Sequence, residues 1–163
     1  MRKKFLTLFV LLLTITFTSC SSDSESVNPS KIESLENYNH SDFELELLDL
    51  VNEYRVSQGK NALEIIEHIS YKSGEHNDYM IVVNSVNHDG FNDRKTNLQH
   101  VLGAVKVGEN VAYGYSTPQA TLNAWVESEG HRINLLGDYT HFGLSTKQNE
   151  SGKKYYTNIF IKK

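Results

Sequence analysis

Cys20 is the only cysteine in the chain. With a single sulfur, no intramolecular disulfide can brace the fold and no cysteine-rich metal cluster can organise it, so stability has to come from packing. The chain has 163 residues, 39% hydrophobic and 22% charged, with ten glycines and two prolines. That suits one ordinary globular domain and excludes collagen-like or wholly disordered chains. Sixteen Lys and Arg stand against twenty Asp and Glu, a formal charge of −4, with no basic block. A nucleic-acid partner held by phosphate neutralisation is therefore not expected.

The same cysteine closes an N-terminal address. Arg2, Lys3 and Lys4 precede an apolar run over residues 5–17, interrupted only by Thr7, Thr14 and Thr16. The run suits a secretory h-region and falls short of the ~20 apolar residues that span a bilayer. Thr18, Ser19, Cys20 and Ser21 follow, a series resembling the lipobox of bacterial lipoproteins, with Phe17 where Leu is commoner. The expectation is a signal peptide over residues 1–19 and acylation of Cys20, which would hold the mature chain on a lipid bilayer; plain secretion is the alternative. Such an anchor is stable when two or more acyl chains are present. Residues 20–40 begin with Ser21, Ser22, Asp23, Ser24, Glu25 and Ser26. They are too poor in apolar surface to offset the entropy of ordering, so they read as a flexible acidic tether ahead of a domain over residues 41–163. The implied location is the bacterial cell envelope, lipid-anchored at the outer membrane or the cell surface.

Ser41 and Glu44 have capping-box spacing and Gly59 is a helix stop, so a first helix lies between them. Leu47, Leu50, Val51 and Tyr54 share its inner face, which leaves Glu46, Asp49, Glu53 and Arg55 to water, and Leu63 docks the turn. A second helix over residues 65–84 carries Ile65, Ile69, Ser73, His76, Met80 and Val83 on one stripe. His76 on that stripe reads as a core histidine bonded to a neighbour. Residues 87–94 read as a polar turn and residues 107–115 as a short strand ended by Gly114. Thr117 and Pro118 open a third helix, with Thr121, Ala124, Trp125 and Ser128 on a face and Gly130 as its break. Alternation from Phe142 to Leu144 and from Tyr155 to Ile161 predicts an antiparallel hairpin. Helices first and a closing hairpin imply an α+β domain with helices covering an antiparallel sheet.

There is no HExxH, no phosphate-binding glycine loop and no nucleophile elbow. Polar residues set among glycines and aromatics single out His88, the triplet Gly108-Glu109-Asn110, and the run from Trp125 through Ser128 and His131 to Arg132 and Asn134. Each alone has an ordinary structural explanation.

Together they form an ordered set: Asn52-Glu53-Tyr54-Arg55 with Gly59 and Leu63, His76 with Met80, His88-Asp89-Gly90-Phe91 with Arg94, Gly108-Glu109-Asn110-Val111-Ala112, Trp125-x-x-Ser128-x-Gly130-His131-Arg132-x-Asn134-Leu135, and Phe142-Gly143. Over residues 43–161 this resembles the CAP superfamily of cysteine-rich secretory proteins, insect venom allergens and plant pathogenesis-related proteins, and is similar to its compact bacterial branch. The resemblance implies a three-layer α-β-α sandwich, with a central antiparallel sheet flanked by helices, and a cleft where two histidines meet acidic groups. His88 and His131 match the histidine pair and Glu109 the first acid, with Asn110, Ser128 and Arg132 as further cleft residues. Members with a fuller set carry Glu where this chain has Ser128; Glu127 and Glu129 flank it but point about 100° away on a helix.

Two neutral imidazoles, His88 and His131, with the Glu109 carboxylate could hold Zn²⁺ or another divalent metal with a position open for water. The same groups could instead form a metal-free polar network. The favoured reading is a surface-anchored binding module for a lipid, peptide or glycan. The alternatives are a metal-dependent hydrolase with Glu109 as the catalytic general base, and a structural envelope protein.

Overall fold

The computed structural model describes residues 35–163; the expected signal peptide, Cys20 and most of the tether lie outside the described residues. Helix α1 spans Asp42–Ser57. Its capping box is present, with the Ser41 hydroxyl accepting from Glu44 N–H and the Glu44 carboxylate accepting from Ser41 N–H. Gly59, at φ 71°, follows the helix end. Strand β1 (Glu64–Ile65), helix α2 (Glu67–Val83) and helix α3 (Phe91–Leu102) come next. Strand β2 (Lys106–Tyr113) ends just before Gly114, which turns the chain at φ 82°. Helix α4 (Pro118–Glu127) has the Thr117 cap and Pro118 at its start, as expected. Helix α5 (Glu129–Leu135), strand β3 (His141–Gln148) and strand β4 (Lys154–Lys162) complete the order.

The strands form one sheet in the order β1-β3-β4-β2. The β3–β4 hairpin and the β2–β4 pair are antiparallel, whereas the two-residue β1 runs parallel to β3, so the sheet is mixed rather than wholly antiparallel. Strand β4 is central and buried from Tyr155 to Ile161 on both faces. One face packs Leu47, Val51, Leu122, Trp125 and Leu135 of α1, α4 and α5 against Phe142, Leu144, Tyr156 and Phe160. The other packs Ile69, Leu98 and Leu102 of α2 and α3 against Ile159 and Ile161. Burial of each large side chain contributes about 1.5–3 kcal/mol, and two such cores supply what disulfides supply elsewhere. Gly143 lets α2 approach this closely, because an added Cβ would collide with the Ser70 backbone and meet Ile69 Cβ at 2.7 Å.

Four expectations need correction. The polar residues after His88 are not all turn: α3 begins at Phe91, and its thin buried face, Asn97, Leu98 and Leu102, left little periodicity to detect. The break after Trp125 falls at Ser128, whose ψ is 119°, and Gly130 lies inside α5. Arg55 is fully buried rather than wet, with Nη1 donating to Leu135 O at 2.6 Å and Gly137 O at 3.1 Å, and Nε to Asn61 O at 2.9 Å. Helix α2 buries Ile69, Ser73, His76 and Met80, but Val83 at its end is exposed, and Ile65, expected to open that helix, is an exposed residue of β1.

Candidate functional site

Neighbouring residues of a strand point to opposite faces of a sheet, and β2 uses this to split the triplet Gly108-Glu109-Asn110. Glu109 pairs in register with Ile159 and faces the α2–α3 layer; Asn110 pairs with Asn158 and faces the α4–α5 layer. Since β2 is an edge strand, the two layers meet around its rim. Its outer carbonyls are covered by side chains: Trp125 Nε1 donates to Val111 O and Asn134 Nδ2 to Glu109 O, each at 3.0 Å.

The Glu109 side chain is only 2% exposed, and its oxygens are occupied. His88 Nδ1 donates to Oε1 at 2.8 Å. Arg94 grips both oxygens, Nε to Oε2 and Nη2 to Oε1, each at 2.8 Å, while its Nη1 donates to Asp89 O at 2.8 Å. Burial pushes the Glu109 carboxyl up, but the hydrogen bonds from His88 and Arg94 and the Arg94 charge outweigh it and hold the group below its ordinary value. Arg94 stands in the first turns of α3, which Gly90 enters with a left-handed φ of 69°. In the sequence Arg94 is only one letter of a pattern; its role depends on a helix start that no capping side chain announces.

The histidines divide into three situations. His88 is half exposed at the mouth of the site. His76 is buried, donates from Nε2 to Asn87 O at 2.8 Å, and lies 4.0 Å from Glu109 Oε1. Burial, with the Arg94 charge behind it, lowers its pKa, so it is the neutral core histidine expected from the sequence. His131, on α5, offers its backbone carbonyl to Asn110 Nδ2 at 3.0 Å, and its ring Nδ1 is buried without a hydrogen-bond partner. Burial lowers its pKa and the charge on a protonated His88 lowers it further, so the two rings sense each other.

The other candidates hold the frame. Asn134, the end of the candidate run in the sequence, donates to both Glu109 O and Asn110 Oδ1. Arg132 Nη1 donates to Val126 O at 2.7 Å and fastens α5 to the end of α4. Ser128 joins those two helices through its backbone, and its side chain makes no capping bond. Gly108 is a site of close approach, where a Cβ would collide with the Tyr139 hydroxyl and sit 2.8 Å from Asn134 Oδ1. A hollow of about 310 Å³ opens beside the cluster, lined by His88, Phe91, Val107, Gly108, Glu109 and Asn134.

Whether Zn²⁺ suits this set follows from the donors. Both Glu109 oxygens are engaged, and a guanidinium stands where a cation would have to approach. Among the described residues no three His, Cys, Asp or Glu side chains gather as a metal-holding group. As placed, His88, His131 and Glu109 do not form the three-donor site expected of a catalytic zinc.

The sequence model of the Cysteine-rich secretory protein family, CAP, matches residues 48–160. The uncharacterized membrane protein YlbC of Bacillus subtilis (strain 168) is 36% identical over 125 residues, which cover 74% of this chain and 34% of that protein. The chain thus spans about a third of the length of that relative. Among solved structures, an extracellular protein containing a SCP domain from Bacillus anthracis str. Ames matches with TM-score 0.66 and 30% identity, over 74% of this chain and 40% of that one. An outer surface protein from Borrelia burgdorferi has the same fold, with TM-score 0.69 and 18% identity over 80% of this chain and 99% of that one. With its sandwich, its edge-strand glutamate and the matched residues, the chain belongs to the CAP, or cysteine-rich secretory protein, family.

Proposed function

We propose that this CAP domain is a binding module of the bacterial envelope, lipid-anchored through Cys20, that receives a lipid, peptide or glycan in the hollow beside His88 without a metal at Glu109. The observation that carries this reading is the saturation of Glu109 by His88 and Arg94. A general base needs a pKa near the working pH and a lone pair directed at the proton it removes. Glu109 has a lowered pKa and its lone pairs point at protein donors, so its work is to orient His88 and to tie α3 to β2. A hollow near 310 Å³ lies at the small end of the ~300–1,000 Å³ usual for ligand sites. Its wall has an apolar side, Phe91 and Val107, and a polar side, His88 and Asn134, which suits a ligand with one polar group beside an apolar one.

Thermal unfolding of the purified chain with phospholipid vesicles, short peptides or cell-wall glycan fragments tests this. One class should raise the midpoint, since a ligand at a hundred times its Kd adds ~2.7 kcal/mol, and His88→Ala should abolish the rise. No shift with any class, or peptide or ester cleavage lost in Glu109→Gln, overturns the reading. The anchor is tested separately: the protein should partition into detergent and Cys20→Ser should leave it in water.

A further inference from the structure

The C-terminal half of α2 carries apolar side chains on its outer face as well as on its inner one. Tyr79, Val82 and Val83, spaced as neighbours on one side of a helix, are 41%, 83% and 42% exposed. The chain then folds back along that side: Asn87 O accepts from His76 Nε2 at 2.8 Å, and Asp89 Oδ2 accepts from the Tyr79 hydroxyl at 2.9 Å. The return carries Val86, also exposed, toward the same face. Single apolar residues scattered over a surface are ordinary, whereas adjoining ones rimmed by polar groups mark a place of contact. The strip runs into a pocket of about 320 Å³ lined by Glu75, His76, Tyr79, Asp89, Asp93 and Arg94. Arg94 spends all three guanidinium nitrogens on Glu109 and on Asp89 O, and Lys72 is paired with Glu75 at 2.9 Å. The exposed carboxylates of Asp89 and Asp93 therefore set the sign of the pocket. His76, 2% exposed, adds an acceptor: Nε2 donates to Asn87 O, so Nδ1 is bare, and it has no hydrogen-bond partner.

We propose that this face docks a basic, aliphatic segment of another protein, with its apolar side chains against Tyr79, Val82, Val83 and Val86 and a Lys or Arg in the pocket beside Asp89 and Asp93. The choice of occupant rests on charge. An isologous contact between two copies of this chain would bring the same carboxylates face to face, and an anionic bilayer would be repelled by them. A segment carrying cations next to aliphatic side chains meets both halves of the face at once. The valines supply affinity by leaving water, and the acids supply orientation and salt dependence. The pocket and the hollow beside His88 have no lining residue in common, so this contact does not depend on what the hollow receives.

Amide NMR of the purified, isotope-labelled chain, titrated with a synthetic peptide of Val and Lys residues, tests this. Shifts should gather at Tyr79, Val82, Val86 and Asp93 and spare Val107, Gly108 and Asn134, which mark the hollow. Affinity should fall as salt is raised, and a peptide with Glu in place of Lys should not bind. Val82→Ser should weaken binding by about tenfold, the effect of leaving one valine out of an apolar contact. The double variant Asp89→Asn, Asp93→Asn keeps an acceptor for the Tyr79 hydroxyl; it should weaken binding by about fivefold and flatten the salt dependence. Equal binding of the Glu peptide, shifts centred on the hollow, or an affinity indifferent to Val82→Ser overturns the proposal. So do strip shifts that grow with protein concentration in the absence of peptide, which assign the face to a second copy, and strip shifts with anionic phospholipid vesicles as strong as those with the peptide, which assign it to a membrane. Should a variant not fold, the comparison of the Lys and Glu peptides on the parent decides.

Discussion

The two faces of strand β2 carry adjacent letters of one motif and are stabilised by different physics. On the α2–α3 face, Glu109 is a buried charge neutralised by Arg94 and His88. On the α4–α5 face, Asn110 and Asn134 form a neutral amide network that ends on the His131 carbonyl. A buried ion pair repays desolvation only while both partners are present, whereas a neutral network loses one bond at a time. The charged face should therefore be stiff and intolerant of substitution, and the amide face adjustable. The family resemblance treats His88 and His131 as a pair: the His88 ring is bound to the acid, while His131 meets the amides through its backbone carbonyl and its ring senses the charge of His88.

The largest effect is expected from Arg94→Leu, which leaves Glu109 buried with His88 as its remaining side-chain donor. Stability measured by urea unfolding at pH 7.5 should fall by about 3–5 kcal/mol, as for other buried pairs broken on one side. The acid limb should move as well. Because the folded pKa of Glu109 is lowered, its contribution is fully present above the unfolded value of ~4.3 and disappears as pH falls through the lower folded value. Without Arg94 the folded pKa rises, and the loss on acidification should begin at higher pH. A loss under 1 kcal/mol with an unchanged acid limb would mean that the charged face is not held by this pair.

Asn134→Ala tests the other face. It removes the donor from Glu109 O and Asn110 Oδ1 and should cost about 1–3 kcal/mol, without displacing the acid limb. A cost equal to that of Arg94→Leu, or a shifted acid limb, would erase the distinction between the faces.

How far the sequence reveals this arrangement depends on the range of the contacts. The Ser41–Glu44 cap, the Thr117–Pro118 start and the alternation of β4 are set by neighbours a few residues apart, and the structure places them as the spacing predicts. Arg55 satisfies itself on carbonyls 80 and 82 residues away, which no periodicity records, so it looked like a solvent-facing charge. Helix α3 has a left-handed Gly90 in place of a capping side chain and a mostly polar surface, and with it the function of Arg94 stayed hidden. Glu109 and His88 were legible as candidates from the ordered motifs. That the carboxylate is closed to a metal could be seen only once Arg94 had a position.

His88→Ala comes next in size. Its ring is half exposed, so the ion pair with Glu109 is screened by solvent and its loss should cost about 0–1 kcal/mol. The effect should appear in ligand-induced stabilisation instead. A loss of several kcal/mol would move His88 from the mouth of the hollow into the supporting frame.

The smallest effect on stability, within about 0.5 kcal/mol, is expected from Ser128→Glu, which supplies the second acid that fuller members of the family carry. Ser128 makes no capping bond with its side chain, so little is lost by replacing it. Ser128 is the N-cap of α5 and His131 the third residue of that helix, so a carboxylate at 128 is directed at the turn that carries His131. Burial, and after it the neighbouring His88, lower the pKa of that ring. A nearby carboxylate favours the protonated ring, so NMR should show His131 titrating at higher pH than in the parent, with Glu109 still bound to Arg94. The variant would give His131 a charge partner of its own, while Glu109 stays with Arg94 and His88. If His131 titrates as before, the serine position does not address that ring.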